Sequence, residues 1–515
     1  MTSRKPRILA VIELGTTSIR MVIGQAGGTG HVQVLDELEH SVSLGHDVLT
    51  NGVIGTEVTE RCVSALRNFR RILDEYHIQD RNTRVVATSA VREAQNQDAF
   101  IDRILIATGL GVEVIDQAEV SRLTYRAVQP KLRREPFFRK SDVLVVEVGG
   151  GSTETLLFRK GKVSSVHLYR LGSLRLRTLL EDQDIPPARL ESLMRTEVSQ
   201  TLAQVHQNTL PLYSPQMVLL GSDARFACSV LGGSLESKPL CELSRRKLKK
   251  LMRSVIAKTV DKVAKEYDLN YTEAETLGPS LFISVALAQG LKLKRVLVTE
   301  ATLRTGILSE MATGEKWTRE FRRQVINSAL SVRRKYGGDL THARHVASYG
   351  LQIMDTLRDR YGFGDRDEMI FHVAALLHDI GQAINTASHH KHSRYLILNS
   401  DIFGLGRRDI TLAALVARYH RRAAPKPSHV DYMALGRMDR ITVSKLAAVI
   451  RVANALDRLR FRRTLSMDMR IEENRFIIET APDQDLSPVK QRIRDRSRLF
   501  ASVFGKEIQL KVRRT

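Results

Sequence analysis

The apolar positions of residues 7–128 follow two periods in turn. β-Branched runs bounded by Gly or polar residues predict strands at 7–13, 18–25, 31–38, 84–88 and 112–115. Apolar residues three and four apart predict helices at 56–76, 96–108 and 118–128. Such alternation implies a mixed sheet covered by helices. Residues 129–141, with two prolines and five basic residues, predict a crossing to a second lobe. The pattern then begins again, with strands at 142–148, 154–159 and 162–169 and strand-and-turn runs at Met217–Ser222 and Arg295–Gly306. After Met311 the period is helical. Residues 342–357 place Ala343, Val346, Ala347, Gly350, Leu351, Met354 and Leu357 on one face, and 369–378 is apolar almost throughout. Short alternating runs return at Arg475–Glu479 and Ile508–Val512. The expected organisation is two α/β lobes at 1–130 and 131–313, an all-α domain at 314–463 and a small α/β module at 464–515.

Within this pattern one turn occurs twice. Residues 11–18 read Val-Ile-Glu-Leu-Gly-Thr-Thr-Ser, and 145–152 read Val-Val-Glu-Val-Gly-Gly-Gly-Ser. Each joins a strand to a returning strand through small residues and a hydroxyl. A turn without bulky side chains lets its backbone N–H groups approach an anion, and the acid at its mouth can hold a divalent cation or orient water. One such turn is an ordinary hairpin. Two that face each other make a clamp for a chain of phosphates, with Gly15, Thr16, Thr17 and Ser18 opposite Gly149, Gly150, Gly151, Ser152 and Thr153.

Charge sharpens this picture. The chain of 515 residues carries a formal net charge of +23, so polyanions are the expected partners. Aromatic residues make up only 5%, which disfavours a base-stacking platform for single-stranded nucleic acid. Cys62, Cys228 and Cys241 show no metal or disulfide spacing, pointing to a reducing compartment. The start of the chain enters a strand directly, without a signal-peptide apolar region, and no run reaches the ~18 apolar residues of a membrane span. A cytoplasmic protein with no membrane partner is expected.

The two turns, together with Ala87-Thr-Ser-Ala-Val-Arg-Glu-Ala94, Leu171-Gly-Ser-Leu-Arg-Leu176 and Glu300-Ala-Thr-Leu-Arg-Thr-Gly306, resemble the exopolyphosphatase/guanosine pentaphosphate phosphohydrolase family. The resemblance runs the full length. It implies a two-lobed actin-like (sugar kinase-like) fold, a helical HD-like domain, and a homodimer. It also implies Glu119 as the water-activating base, Arg92 as a phosphate clamp, and Glu147 and Glu154 as Mg²⁺ ligands. Three departures stand out. Glu replaces the family's usual Asp at Glu13 and Glu147. The family's Ser-Gly-x-Glu-Glu-Ala appears as Asp116-Gln-Ala-Glu-Val-Ser121, so Val120 replaces one of two acids. Gly221-Ser-Asp-Ala-Arg225 has Ala224-Arg225 for a Gly-Thr pair. A longer acid can displace water or metal by about an ångström, enough to cost ~10²-fold in a positioned reaction.

The helical half adds a second set. His342, His378, Asp379 and Asp457 resemble the ligands of HD-type metal phosphohydrolases, which implies a second divalent metal. His389, His390, His392 and His420 follow nearby. His392 and His420 lie among Lys391, Arg394, Arg418, Arg421 and Arg422, and read better as part of a polyanion track that continues through Arg451, Arg458, Arg460, Arg462 and Arg463. The expected activity is Mg²⁺-dependent hydrolysis of the terminal phosphoanhydride of inorganic polyphosphate. The alternatives are 5′-phosphate removal from guanosine pentaphosphate, a polyphosphate-binding regulator with weak catalysis, and, with less support, a small-molecule kinase.

Overall fold

In the computed structural model, Arg7–Leu14 (β1) and Ser18–Ala26 (β2) pair antiparallel, and Val32–Ser41 (β3) continues the meander. Thr83–Ala87 (β4) and Val112–Val114 (β5) add parallel to β1, giving the order β3-β2-β1-β4-β5. The same plan repeats with Asp142–Val148 (β6), Thr153–Arg159 (β7), Lys162–Tyr169 (β8) and Gln216–Leu220 (β9). Cys241–Ser244 (β10) and Arg295–Val298 (β11) complete the order β10-β11-β9-β6-β7-β8. The described residues are 7–27, 32–181, 187–209, 211–235, 238–314, 317–421, 423–457, 467–480 and 487–512. They form two compact units, Met1–Lys316 and Trp317–Thr515.

Both faces of β1, β2 and β4 are largely buried, which explains their nearly continuous apolar runs, while the edge strand β3 is mostly exposed and polar. Ala10, Ile12 and Leu14 pack with Leu66, Phe69, Phe100 and Ile104 from the helices Thr56–Glu75 and Gln97–Thr108. On the other face Leu9 and Val11 meet Leu123, Ile307 and Leu308. The last two belong to the helix Leu303–Thr313, so the end of the stretch expected as the second lobe returns to the first sheet. Gly306, expected in a turn, lies inside this helix. A Cβ there would stand 2.2 Å from the Leu123 carbonyl oxygen, so the glycine serves close helix packing.

The cysteine expectation also needs correction. Cys228 and Cys241 form a disulfide with Cα atoms 6.7 Å apart, while Cys62 is free and buried. Gly233 permits this approach, since a Cβ there would lie 2.3 Å from the Cys241 sulfur.

In the second unit the helices Leu340–Tyr361 and Asp365–Leu377 pack through Gly350, where a Cβ would meet the Phe371 ring at 1.9 Å. Met467–Glu472 (β12), Arg475–Thr480 (β13) and Glu507–Val512 (β14) form a three-stranded sheet. Phe504 of the helix Arg498–Phe504 ties this module to Tyr361, ring centroids 4.9 Å apart. Among the described residues no helix is long and apolar enough to cross a membrane.

Candidate active site

The repeated turns close with the same hydrogen bond. Gly15 N–H donates to Ser18 O at 2.9 Å, and Gly149 N–H donates to Ser152 O at 2.8 Å. Beyond each meander a helix is fastened to its turn. Gly45 N–H, in Leu44–Asn51, donates to Thr16 O at 2.7 Å; Ser173 N–H and Arg175 N–H, in Ser173–Glu181, donate to Gly149 O and Gly150 O at 2.9 and 3.0 Å. The two turns also touch. A Cβ on Gly150 would lie 2.8 Å from Thr16 Cγ2, and Thr16 Oγ1 sits 3.2 Å from Ser89 Oγ.

Gly15, Thr16, Thr17, Gly149, Gly150 and Ser152 line one cleft between the sheets. Ser18, Gly151 and Thr153 stand behind it, and the Thr153 hydroxyl donates to Leu171 O at 2.5 Å. The register places Glu13 opposite Arg20 in one hairpin and Glu147 opposite Glu154 in the other. Glu13 pairs with Arg304, and Arg20 with Glu39 at 2.8 Å. Arg92 also lines the cleft, anchored by donation to Ile115 O at 2.9 Å.

Glu119 takes a different position. Asp116 caps its helix by accepting from Glu119 N–H at 2.9 Å. The Glu119 carboxylate then accepts from Arg122 at 2.8 and 2.9 Å and lies 3.5 Å from Arg84; both arginines also pair with Glu310. It lies outside the cleft lining, where Val120 stands instead. One residue along a helix is a rotation of about 100°, which moves a side chain to another face.

The cleft acids oppose one another. Burial, then the charges of Glu154 and Glu13, push the Glu147 carboxyl up to about 8. Burial pushes Glu154 up to about 7 against a hydrogen bond from Gln117 and the charge of Arg92. Asp223, also in the lining, is raised by burial. Arg225, facing Glu147, is lowered by burial and by Arg304 and Arg20. Crowded carboxylate oxygens of this kind fit a hard divalent cation, which would relieve their repulsion.

In the helical unit, His342, His378 and Asp379 bring ligand atoms together, and so do Asp379, His389 and His420. Asp457, expected as a ligand, lines the same cavity, with Oδ2 2.5 Å from His342 Nδ1 and Oδ1 2.6 Å from His345 Nδ1. The residues expected as a polyanion track are described only in part. Arg394 turns to Asp431 at 2.7 Å, Lys391 is exposed, and Arg418 is half-buried. Arg421 and Arg451 line the cavity that holds the histidines. Arg422, Arg458, Arg460, Arg462 and Arg463 lie outside the described residues. His420 lies in the histidine cluster, in the cavity that Arg421 and Arg451 also line.

Residues 22–315 match the Ppx/GppA phosphatase family, and residues 324–497 match its domain III. The chain belongs to the Ppx/GppA phosphatase family. A guanosine-5′-triphosphate,3′-diphosphate pyrophosphatase of Vibrio atlanticus is 24% identical over 433 residues, 82% of each chain. One from Vibrio parahaemolyticus is 23% identical, covering 90% of this chain and 89% of that one. The fold is shared with an exopolyphosphatase from Cytophaga hutchinsonii, at TM-score 0.54 and 22% identity, covering 60% of this chain and 99% of that one. The Aquifex aeolicus Ppx/GppA family member aligns at TM-score 0.50 and 24% identity, over 61% of this chain and all of that one.

In this Ppx/GppA chain, sequence reasoning missed several cleft residues: Thr88, Ser89, Asp223, Glu273 and Thr276. Ser89 was visible inside the Ala87–Ala94 motif. Asp223 followed the third Gly turn, at Gly221. Glu273 is a capping-box acid on the helix Tyr271–Gly290, and no local signal separates it from any other helix start.

Proposed function

We propose that this Ppx/GppA phosphatase is an exopolyphosphatase, which hydrolyses the terminal phosphoanhydride of inorganic polyphosphate and releases orthophosphate. The observation that carries this reading is a pair of matched, touching turns that share one cleft with Arg92 and opposed carboxylates. Backbone N–H groups of the turns, with Thr16, Thr17 and Ser152 hydroxyls, bind the terminal phosphates. Arg92 forks onto oxygens of the phosphoryl group that is transferred. Glu147, with Glu13 nearby, would hold Mg²⁺, which supplies neutralisation of the phosphate charge. Glu119 is held by Arg84 and Arg122, and Glu154 is the cleft carboxylate beside Arg92, so in this reading the proton of the attacking water passes to Glu154. The water oxygen bonds to the terminal phosphorus, the bridging P–O bond breaks, and the shortened chain leaves as an anion.

Removal of the 5′-terminal phosphate of guanosine pentaphosphate uses the same chemistry, and the similarity to guanosine-5′-triphosphate,3′-diphosphate pyrophosphatases over most of the chain favours it. The described lining contains no aromatic side chain to stack on guanine, which favours the inorganic chain. The test is steady-state phosphate release from long-chain polyphosphate across a Mg²⁺ titration. Glu147→Gln is expected to raise the Mg²⁺ needed for half-maximal rate at least tenfold. Glu154→Gln is expected to lower kcat about 10²-fold or more at saturating Mg²⁺. Full activity in both variants refutes the assignment of the cleft.

A further inference from the structure

β6 runs parallel to β9, and the register sets Glu147 beside Leu220. The chain turns at Gly221, where φ is +103°, and enters the helix Ser222–Val230. Arg225 closes the first turn of that helix, donating its N–H to Gly221 O at 3.2 Å. The strand end that carries Glu147 and the helix start that carries Arg225 are therefore neighbours, and their opposite charges act on each other.

The two side chains do not bond. Arg225 Nη1 is buried without a hydrogen-bond partner, and among the described residues no carboxylate forms an ion pair with this guanidinium. The arginines beside it are both engaged, Arg20 with Glu39 at 2.8 Å and Arg304 with Glu13, and Glu37 is the other acid that attracts it. Leaving a charged donor buried and unfilled is costly. Glu147 lines the cleft and Arg225 does not, so a phosphate chain in the cleft meets Arg225 only through its field at Glu147.

Glu13 and Glu147 hold the same place in the repeated hairpins, opposite Arg20 and Glu154. Arg304 closes Glu13: a bonded guanidinium cancels the charge and occupies the lone pairs that a cation would need. An arginine that is near but unbonded acts differently. It reduces the negative potential at Glu147 and leaves the carboxylate oxygens open to the cleft. A divalent cation feels that opposing charge doubly. The several negative charges of a phosphate chain in the same cleft offset it.

We propose that Arg225 is a positioning residue for the cleft's divalent cation: its fixed charge weakens the hold of Glu147 on free Mg²⁺, so that cation and phosphate chain are retained together. This rests on the reading of Glu147 as the Mg²⁺ ligand. The coupling is reciprocal, so each raises the affinity of the other.

The test titrates Mg²⁺ into the full-length chain without substrate at pH 9, by calorimetry. Arg225→Met, of similar length but uncharged, is expected to bind Mg²⁺ about fivefold or more tighter than the wild type. Arg225→Gln, a second uncharged variant, is expected to follow it, and melting curves select the variants that fold. Arg225→Lys keeps the charge and is expected to stay within about twofold of the wild type. In phosphate release from polyphosphate, the Mg²⁺ needed for half-maximal rate is expected to shift less than the affinity for free Mg²⁺. Wild-type affinity in the folded uncharged variants overturns the proposal. Arg225→Lys binding as tightly as the uncharged variants also overturns it, because charge is then not the cause. An equal shift with and without substrate overturns the coupling. Glu147→Gln separates the two readings. Wild-type Mg²⁺ binding in that variant removes Glu147 as the ligand, whereas lost binding there with unchanged Arg225 variants overturns the role of Arg225 alone.

Discussion

Glu119 and Val120 show how one residue decides a role. Both lie in the first turn of the helix Gln117–Leu132, yet Val120 lines the cleft and Glu119 joins Arg84, Arg122 and Glu310. Arg122 is almost fully buried, with its side chain 3% exposed, so its partners matter to stability. Removing one member of a buried ion pair leaves the other uncompensated, at a cost of about 3–5 kcal/mol. Glu119→Gln is expected to cost less, about 2 kcal/mol, because the network keeps Glu310 and the amide can still accept. Thermal unfolding should report the loss, while kcat on polyphosphate stays within about threefold. An unchanged melting temperature with a collapse in kcat would restore Glu119 to the chemistry.

At the scale of elements, the cradle depends on how tightly each helix is drawn onto its turn. A Cβ on Gly172 would lie 2.2 Å from Gly150 O and 2.4 Å from Gly151 C, both backbone atoms. Gly172→Ala must therefore shift the second turn, and KM for polyphosphate is expected to rise about tenfold or more by steady-state kinetics, with stability changed less. A KM like the wild type's would mean that the turn is not the phosphate cradle. The hairpins were legible in sequence because a β-branched run, a Gly turn and a second run carry their own register. The helix Leu44–Asn51 was not, because it is short, with only Leu44 and Val48 as its buried apolar pair, and the bond from Gly45 N–H to Thr16 O that fastens it to the turn leaves no mark in sequence. Gly306 read as a turn because sequence shows only that a glycine is small. In the structure the small residue serves contact with Leu123. The histidine cluster was half legible. His378-Asp379 announced itself, but basic neighbours of His420 masked its role, and only the fold shows Arg394 turned to Asp431.

For the whole molecule, the buried cleft acids couple pH to stability. The folded-state carboxyls of Glu147 and Glu154 sit at about 8 and about 7, above their ordinary 4.5. Between these limits the folded chain binds protons that the unfolded chain has released. Stability therefore falls as pH rises from about 4.5 through 8. Without divalent cation, the unfolding transition of the first unit is expected to move to lower temperature between pH 6 and pH 9. Mg²⁺ should flatten that slope and bind more tightly as pH rises, and calorimetry at several pH values checks both. A slope that Mg²⁺ leaves unchanged would separate the raised carboxyls from metal binding. The clamp of two turns is proposed to act on a terminal phosphoanhydride of an inorganic chain. Its most direct test is phosphate release with Mg²⁺ from long-chain polyphosphate and from guanosine pentaphosphate, compared as kcat/KM. Polyphosphate is expected to turn over at the higher kcat/KM. Preference for the nucleotide, or release from neither while polyphosphate still binds, would contradict it.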